Sequence, residues 1–229
     1  MNDWAIIVSA GQGTRFGSDG VPKTFRPLAG VPMYVHSVRA FQDVASITGI
    51  VLVVIENWLE YAMETAMGEG VRASVEITPG GDTRQASVRA GLARVPVEAE
   101  RIVVHDAARP LVTPAMVEAC LAALKGADAA ICAVPLSDTL KNAQDGVVKE
   151  TVARDGLWRV QTPQAFDAKA LRDAHASAPG DDATDDAALI EARGGRVVIV
   201  PGDERNIKVT TPADLELAEA LMLGTRVWP

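Results

Sequence analysis

A glycine-rich segment that carries two cations follows the first apolar run of the chain. Residues 10–17 read Ala-Gly-Gln-Gly-Thr-Arg-Phe-Gly, and Lys23 follows shortly after. Glycines that leave a buried strand let backbone N–H groups approach phosphate oxygens closely. A tight turn without a ligand is the alternative, but the presence of Arg15 and Lys23 in the same segment favours phosphate binding. The sequence therefore predicts a polyphosphate site with these two cations.

Two familiar phosphate loops do not fit this segment. A dinucleotide-binding loop has the spacing G-x-G-x-x-G, whereas the third glycine, Gly17, stands one position late. That loop also needs an acid about 20 residues further on, and Glu56 lies far beyond that spacing. A P-loop needs glycine before its Lys-Ser/Thr pair, but Lys23-Thr24 follows Pro22, which has no N–H to donate. Two cations beside a polyphosphate favour nucleotidyl transfer, in which negative charge grows at the α-phosphorus while pyrophosphate leaves.

Six segments in order along the chain resemble one enzyme family. The loop and the Pro22-Lys23 pair resemble the signature of sugar-nucleotide pyrophosphorylases and cytidylyltransferases. The later segments are Gly80–Val88, Val104–Pro110, Thr162–Phe166, Thr184–Asp186 and Asn206–Thr210. Together they resemble the 2-C-methyl-D-erythritol 4-phosphate cytidylyltransferases of non-mevalonate isoprenoid synthesis, from Trp4 to about Leu223. The resemblance implies transfer of a cytidylyl group from CTP to methylerythritol phosphate, which gives 4-diphosphocytidyl-2-C-methyl-D-erythritol and pyrophosphate.

The resemblance also implies which residues meet each substrate. Catalytic roles fall to Arg15, Lys23, Arg154 and Lys208. CTP is expected to contact Ala10, Gly11, Gly13, Thr14, Arg15, Lys23, Gly81, Asp82, Arg84, Ser87, Asp106 and Lys208. Methylerythritol phosphate is expected to contact Asp106, Ala107, Arg109, Thr139, Arg154, Thr162, Thr184 and Lys208. A magnesium ion is implied mainly on the CTP phosphates, near Asp106, and no metal site made by the protein alone is expected.

Each of these motifs has a plainer interpretation when it is taken alone. Gly80–Arg84 could simply start a helix with Asp82 as its cap. Asp106 and the arginine three residues later could form a surface salt bridge of little worth. Thr184 could cap the helix that follows it as well as bind a ligand. His105 ends a strand, where alternation turns its side chain away from that of Asp106, so we predict a structural role rather than a general base.

Short apolar runs alternate with longer amphipathic stretches along the chain. The predicted strands are Trp4–Ser9, Ile50–Ile55, Ala73–Ile77, Arg101–His105, Ala129–Val134 and Arg196–Pro201. The predicted helices are Met33–Phe41, Gln85–Val95, Pro114–Lys125 and Pro212–Leu223, together with one that Asn57 caps and that runs to about Met67. Near-continuous apolar strands separated by helices indicate a mainly parallel sheet covered on both faces. We therefore predict a single Rossmann-like three-layer α/β domain over residues 1–229, with its site at the carboxyl ends of the strands.

The alternation of strands and helices is interrupted by a polar stretch at about residues 137–154. Two alternating segments flank Asp145-Gly146, a pair typical of hairpin turns. A hairpin with so little apolar surface is not stable alone, so we predict that it rests on a second subunit; a solvated hairpin is the alternative. The resemblance implies a homodimer in which this arm carries Thr139 and Arg154 into the neighbouring active site.

Composition excludes several classes of protein. The chain has 229 residues with a net charge of 22 − 30 = −8, which argues against binding a nucleic-acid backbone. No apolar run reaches the ~18 residues of a membrane helix, and the N-terminus lacks the basic stretch of a signal peptide. Cys120 and Cys132 do not make a disulfide framework, and with three scattered histidines they do not make a metal site. These features predict a cytoplasmic protein without membrane or nucleic-acid partners.

Two alternative functions stay open on the sequence alone. Ribitol 5-phosphate cytidylyltransferases share the fold and the chemistry, although Arg154–Trp158 and Thr184–Asp186 favour methylerythritol phosphate by resemblance. A nucleotide-binding regulator without catalysis is the second alternative, and the joint presence of four charged residues argues against it: Arg15, Lys23, Asp106 and Lys208. A fused cyclodiphosphate synthase domain, which some relatives carry, is not expected.

Overall fold

The computed structural model describes residues 2–11, 16, 20–71 and 74–224. Its strands are β1 (Asp3–Ser9), β2 (Pro27–Leu28), β3 (Val31–Pro32), β4 (Ile47–Val54), β5 (Val75–Pro79), β6 (Arg101–Asp106), β7 (Ala129–Pro135), β8 (Leu140–Gln144), β9 (Val147–Val152), β10 (Trp158–Asp167) and β11 (Val197–Pro201). Its helices are α1 (Met33–Gln42), α2 (Leu59–Gly68), α3 (Arg84–Leu92), α4 (Pro114–Ala123), α5 (Ala168–Ser177), α6 (Asp186–Ala192) and α7 (Pro212–Met222). Short 3-10 turns cover Lys23–Phe25 and Glu56–Trp58. Asn57 lies inside the second turn and does not cap α2, whose N-cap position is Trp58, so that predicted cap is wrong.

Seven strands form one sheet in the order β11-β7-β10-β6-β1-β4-β5. All neighbours are parallel except β10, which is antiparallel to both β6 and β7. Alternate residues of β1 belong to two different cores: Ala5 and Ile7 pack with α1 and α4, while Ile6 packs with α3, α5 and α6. The predicted three-layer α/β architecture is confirmed. Within the described ranges, no helix is long and apolar enough to cross a membrane.

The strand order creates a crevice between β1 and β6. From β1 the chain first builds β4 and β5 on one side, and only then places β6 on the other side of β1. Ligands of open α/β sheets bind at such a switch point, outside the carboxyl ends of the strands. Antiparallel β10 begins at the same edge, since Trp158 pairs with Pro135 at the end of β7. The segments after β1, β5 and β6 therefore meet the start of β10 at one edge of the sheet.

Five strands and helices of the described residues were not predicted from the sequence: the short strands β2 and β3, strand β10, and helices α5 and α6. β10 contains Pro163 and several polar residues, so it shows neither clean alternation nor a continuous apolar run, yet it lies in the middle of the sheet. α5 and α6 follow it and cover one face. The third strand begins at Val75, two residues later than predicted, and residues 72–73 lie outside the described part.

The predicted hairpin is present as β8 and β9. Asp145 and Gly146 have φ angles of 53° and 77°, as a two-residue turn of type I′ requires. All residues of both strands are exposed. The arm presents more apolar surface than its sequence suggested, because Val147 and Val148 are 60% and 56% exposed.

Candidate active site

A cavity of about 430 Å³ opens beside the carboxyl ends of β1, β4, β5 and β6. We call it the nucleotide cavity, because it contains most of the residues predicted to bind CTP. The predicted residues in its wall are Ala10, Gly11, Lys23, Gly81, Asp82, Arg84, Asp106 and Lys208. Gly13, Thr14 and Arg15 lie outside the described residues. Glu56 and Asn57, which were not predicted, also line this cavity.

Glycines allow the loop between β5 and α3 to pack directly against the segment after β1. A Cβ atom on Gly80 would lie 2.5 Å from the Ala10 Cβ atom and 2.7 Å from the Ser87 Oγ atom. Ser87 was predicted to contact CTP, but it is buried behind this loop and outside the cavity wall. Its hydroxyl accepts from the Gly81 N–H at 3.2 Å and donates to the Thr83 carbonyl at 2.9 Å. Ser87 therefore stabilises the conformation of the loop through hydrogen bonds to its backbone.

The cap of α3 is Thr83 rather than Asp82. The Thr83 hydroxyl accepts from the Ala86 N–H at 3.0 Å, in the usual N-cap geometry. Asp82 is exposed in the cavity wall, with its carboxylate not used as the cap. The capping alternative for Asp82 is therefore wrong, and its predicted contact with CTP stays a prediction.

Lys23 is fixed by its neighbours on both sides. It begins a 3-10 turn, and its ammonium group donates to the Val209 carbonyl at 3.0 Å. The next residue, Thr24, is buried and shares a 2.7 Å hydrogen bond with the Ser9 hydroxyl. These contacts join the turn to the end of β1 and hold a positive charge in the wall of the nucleotide cavity.

A second cavity of about 240 Å³ lies beside the start of β10, and we call it the polyol cavity. Five residues predicted to bind methylerythritol phosphate are in its wall: Asp106, Arg109, Thr162, Thr184 and Lys208. Gln161, Gln164 and Asp185 join them. Arg84, Asp106 and Lys208 line both cavities, so the two cavities meet at these three side chains.

The three shared side chains belong to a chain of ion pairs. Asp106 accepts from the Arg84 Nε atom at 3.0 Å and from the Lys208 Nζ atom at 2.7 Å. Arg84 also donates to buried Asp186 at 2.8 Å, and Asp186 bonds the His175 Nε2 atom at 2.9 Å. Residues of α5 and α6, two helices that line neither cavity, thus hold the side chains shared by the cavities in place through this series of ion pairs.

Burial and the ion pairs act in opposite directions on these groups. Burial alone would raise the pKa of Asp106, but Arg84 and Lys208 outweigh it and hold that pKa well below its usual range. Burial alone would lower the pKa of Arg84, but Asp186 and Asp106 outweigh it and raise that pKa. Asp106 and Arg84 therefore stay charged near neutral pH and do not act as proton donors or acceptors there.

His105 is buried beneath the site, as predicted. Its ring lies 5.3 Å from that of Phe41, and its Nε2 atom is 3.2 Å from the Arg109 carbonyl oxygen. Its Nδ1 atom is 3.0 Å from the Thr162 hydroxyl, which also accepts from the Asp106 N–H at 3.0 Å. Burial lowers the pKa of His105 to about 3. A neutral, enclosed imidazole supports the structural role and not that of a general base.

This buried imidazole predicts a pH-dependent stability. In the unfolded chain His105 titrates near its usual pKa of 6.5, so between pH 6.5 and 3 the unfolded state binds a proton that the folded state does not. Stability therefore falls as the pH falls through this window. From pH 7 to pH 5 the loss due to His105 is about 2 kcal/mol. Urea unfolding at several pH values should show a loss smaller by about that amount in His105→Phe, and an unchanged pH dependence would contradict this account.

Several predicted residues lie outside both cavities. Ala107 is fully buried, and Thr139 and Arg154 are exposed in or next to the arm. The Arg154 guanidinium donates to the Ser137 carbonyl. Thr184 does not cap α6, because the Asp185 carboxylate accepts from the Ala188 N–H at 3.0 Å. Thr184 is instead exposed in the wall of the polyol cavity.

Sequence reasoning missed the partners behind the charged residues. Gln164, Asp185 and Asp186 all stand within motifs that were noticed, but no role was given to them. A glutamine in the middle of a buried strand and two consecutive acids before an apolar helix were the available signals. Burial of Asp186 and Gln164 at 1% and 0% exposure marks both as paired or ligand-binding groups.

Comparison with known proteins identifies the family of this chain. A family model described as 2-C-methyl-D-erythritol 4-phosphate cytidylyltransferase matches residues 4–224. Proteins of that name from Cereibacter sphaeroides and Gloeobacter violaceus are 44% and 42% identical over 223 and 221 residues, which cover 97% and 95% of this chain and 97% and 94% of theirs. The crystal structure of 4-diphosphocytidyl-2C-methyl-D-erythritol synthase from Anaerococcus prevotii has a TM-score of 0.82 at 27% identity, covering 96% of this chain and 98% of that one. The chain belongs to the 2-C-methyl-D-erythritol 4-phosphate cytidylyltransferase family.

Proposed function

We propose that this chain transfers the cytidylyl group of CTP to 2-C-methyl-D-erythritol 4-phosphate and releases pyrophosphate. The observation that carries the proposal is the sharing of three charged side chains by two cavities: Arg84, Asp106 and Lys208. The nucleotide cavity adjoins the glycine-rich segment, and the polyol cavity adds Arg109 and two threonines. Two substrates bound in these cavities meet at the shared charges. Family membership supports the identity of both substrates.

The reaction requires charge stabilisation more than proton transfer. A phosphate monoester is largely ionised near pH 7, since its second pKa is about 6, so its oxygen attacks without a strong general base. That oxygen forms a bond to the α-phosphorus of CTP while the bond from the α-phosphorus to the pyrophosphate oxygen breaks. Lys23, together with Arg15, offsets the charge that grows on the α- and β-phosphates. Lys208, with Arg154 from a second subunit, orients the attacking phosphate.

Magnesium is part of the proposal as an ion carried mainly by CTP. Mg²⁺ is bound in proteins by one or two carboxylates plus substrate phosphates. Asp106 lies where the cavities meet, and a carboxylate has about four acceptor sites, of which Arg84 and Lys208 use two. Asp106 thus fits as a single ligand from the protein. When bound, the ion would neutralise charge on the phosphates.

We also propose a homodimer in which the arm completes the neighbouring site. The arm leaves the sheet between β7 and β10, at the same edge as both cavities. Val147, Val148 and Trp158 expose apolar surface that a second copy could bury. Thr139 and Arg154 line neither cavity of their own chain, which supports a role in the partner's site. The cytoplasm is the location we propose for this dimer.

Pyrophosphate release with CTP and a panel of polyol phosphates tests the function. Methylerythritol 4-phosphate should give the highest kcat/KM of the panel. A higher kcat/KM with ribitol 5-phosphate would show that the acceptor is ribitol 5-phosphate, although the reaction would still be cytidylyl transfer. No pyrophosphate with any polyol phosphate, from a protein that binds CTP, would favour the regulator without catalysis.

CTP is expected to be preferred over ATP and GTP by on the order of 10²-fold in kcat/KM. The motivation is the close approach of Gly80 to Ala10 and Ser87, which leaves a wall of backbone and small side chains. A tight site with backbone partners rejects a purine by its size and by unmet hydrogen bonds. Competition among the four nucleotides, with methylerythritol 4-phosphate as acceptor, measures the preference. Equal use of ATP would contradict it.

A further inference from the structure

Gln164 brings an unpaired acceptor to the polyol cavity. It lies on β10 in the cavity wall, and it is fully buried. Among the described residues, its Oε1 atom has no hydrogen-bond partner. A buried acceptor without a partner destabilises the folded state, and such groups are rare unless a ligand or water satisfies them. The position therefore suits a ligand that donates a hydrogen bond.

The orientation of the Gln164 amide is fixed by Asp185. The Gln164 Nε2 atom donates to the Asp185 carboxylate at 2.8 Å, and the other oxygen of that carboxylate caps α6. A carboxylate only accepts hydrogen bonds, so the amide nitrogen has to face Asp185. The amide oxygen is thereby left as the free end of the side chain, and it is able only to accept.

Thr162, like Gln164, can only accept a hydrogen bond from a ligand, and His105 is the cause. The Arg109 carbonyl only accepts, so the neighbouring His105 Nε2 atom carries the ring proton. With the Nε2 proton directed at the Arg109 carbonyl, the Nδ1 atom is the acceptor of the ring, and the Thr162 hydroxyl, 3.0 Å away, donates to it. The Asp106 N–H already donates to the Thr162 oxygen. The hydroxyl proton of Thr162 is used in the hydrogen bond to His105. Only one lone pair of the hydroxyl oxygen is left, and it can accept a hydrogen bond from a ligand.

We propose that Gln164 and Thr162 form an acceptor pair that binds hydroxyl groups of the polyol, with their orientations set by Asp185 and His105. This inference rests on the proposed function and deepens it. The cations of the same cavity, such as Arg109 and Lys208, suit the phosphate. Phosphate oxygens are acceptors near neutral pH, so acceptors in the wall suit the other part of the substrate. Gln164 is a specificity-determining residue, and His105 is a positioning residue.

The first test uses the unmodified enzyme and analogues of methylerythritol 4-phosphate that each lack one hydroxyl. Loss of a hydroxyl leaves a buried acceptor unpaired, so at least one analogue should lose about 10–100-fold in kcat/KM. If every analogue stays within twofold of the parent, the acceptor pair is wrong while cytidylyl transfer stands. If the parent itself gives no turnover with CTP, the proposed function fails, and the inference fails with it.

The second test is Gln164→Met, which keeps the length of the side chain and removes the acceptor. The parent substrate should lose about 10–100-fold in kcat/KM, and the analogue without the bound hydroxyl should lose little. The KM for CTP should not change. Equal losses for parent and analogue would show a structural role only and would overturn the proposal. If Gln164→Met does not fold, the analogue series on the unmodified enzyme still decides.

Gln161→Met is the matched control. Gln161 lies in the same strand and cavity wall, but its amide nitrogen donates to the Asp203 carbonyl at 2.8 Å and its amide oxygen accepts from the Asp203 N–H at 3.3 Å. Its loss should lower the Tm and leave the discrimination between parent and analogue unchanged. A control variant that loses discrimination as strongly as Gln164→Met would overturn the assignment to Gln164.

His105→Phe tests the positioning role. Removal of the Nδ1 acceptor frees the Thr162 hydroxyl to donate, so discrimination should fall for the analogue whose hydroxyl Thr162 binds. The ratio of kcat/KM between the parent and the analogue that lacks the hydroxyl bound by Gln164 should not change. A general loss of structure would lower both ratios. Unchanged discrimination for every analogue would overturn the role of His105.

Discussion

Lys23→Ala and Arg15→Ala are each expected to lower kcat by on the order of 10²–10³-fold, as for the loss of one preorganised charge donor. Both cations serve a negative charge that grows only in the transition state, so the loss should fall on kcat more than on KM. Lys23 lies in the wall of the nucleotide cavity, where its ammonium group is held by the Val209 carbonyl. The cation thus needs little reorganisation during the reaction.

Steady-state kinetics beside a thermal melt measure this effect. Lys169→Ala is the matched control, because Lys169 is exposed on α5 and pairs with Asp173 four residues later. The control should keep normal turnover, and all three variants should melt within a few degrees of the parent. A kcat near normal in Lys23→Ala or Arg15→Ala would remove that residue from the mechanism.

Mixing two nearly inactive variants, Arg154→Ala and Lys23→Ala, is expected to restore up to about a quarter of the normal activity. If Arg154 acts in the partner's site, a mixed dimer places both lesions in one active site and leaves the other intact. Random exchange makes about half of the dimers mixed, and each of these has one intact site of two. Arg154→Ala alone should raise the KM for methylerythritol phosphate far more than that for CTP.

The control for this experiment is a mixture of Lys23→Ala and Lys208→Ala. Both lysines line the nucleotide cavity of one chain, so no mixed dimer has an intact site and activity should not return. Subunit exchange is verified with two differently tagged copies. Absence of recovery for the Arg154 mixture, with exchange proven, would mean that Arg154 serves its own subunit.

The sequence was sufficient to predict β1, β4 and β6, because each is a continuous apolar run. It was insufficient for β10, whose Pro163 and glutamines remove the alternation that marks a strand. That strand is stabilised by pairing with β6 and β7 on both sides, a long-range effect that local patterns do not contain. The hairpin arm was predictable because Asp145-Gly146 has a specific turn chemistry.

The charged residues of the site were predictable, but the groups that orient them were not. Lys23, Asp106 and Lys208 stand at the ends of strands or in motifs typical of the family. Asp186 orients Arg84, and His105 orients Thr162. In both pairs the two residues are far apart in the sequence. Such contacts follow from the strand order and not from the spacing of residues along the chain.

The position of a label in the products distinguishes cytidylyl transfer from phosphoryl transfer. CTP labelled at the α-phosphorus and CTP labelled at the γ-phosphorus are each incubated with methylerythritol 4-phosphate, and the products are separated. If the substrate phosphate attacks the α-phosphorus at the junction of the two cavities, the α-label should enter the diphosphocytidyl product. The γ-label should then leave in pyrophosphate. Transfer of the γ-label to the polyol phosphate would indicate kinase chemistry and would contradict the account.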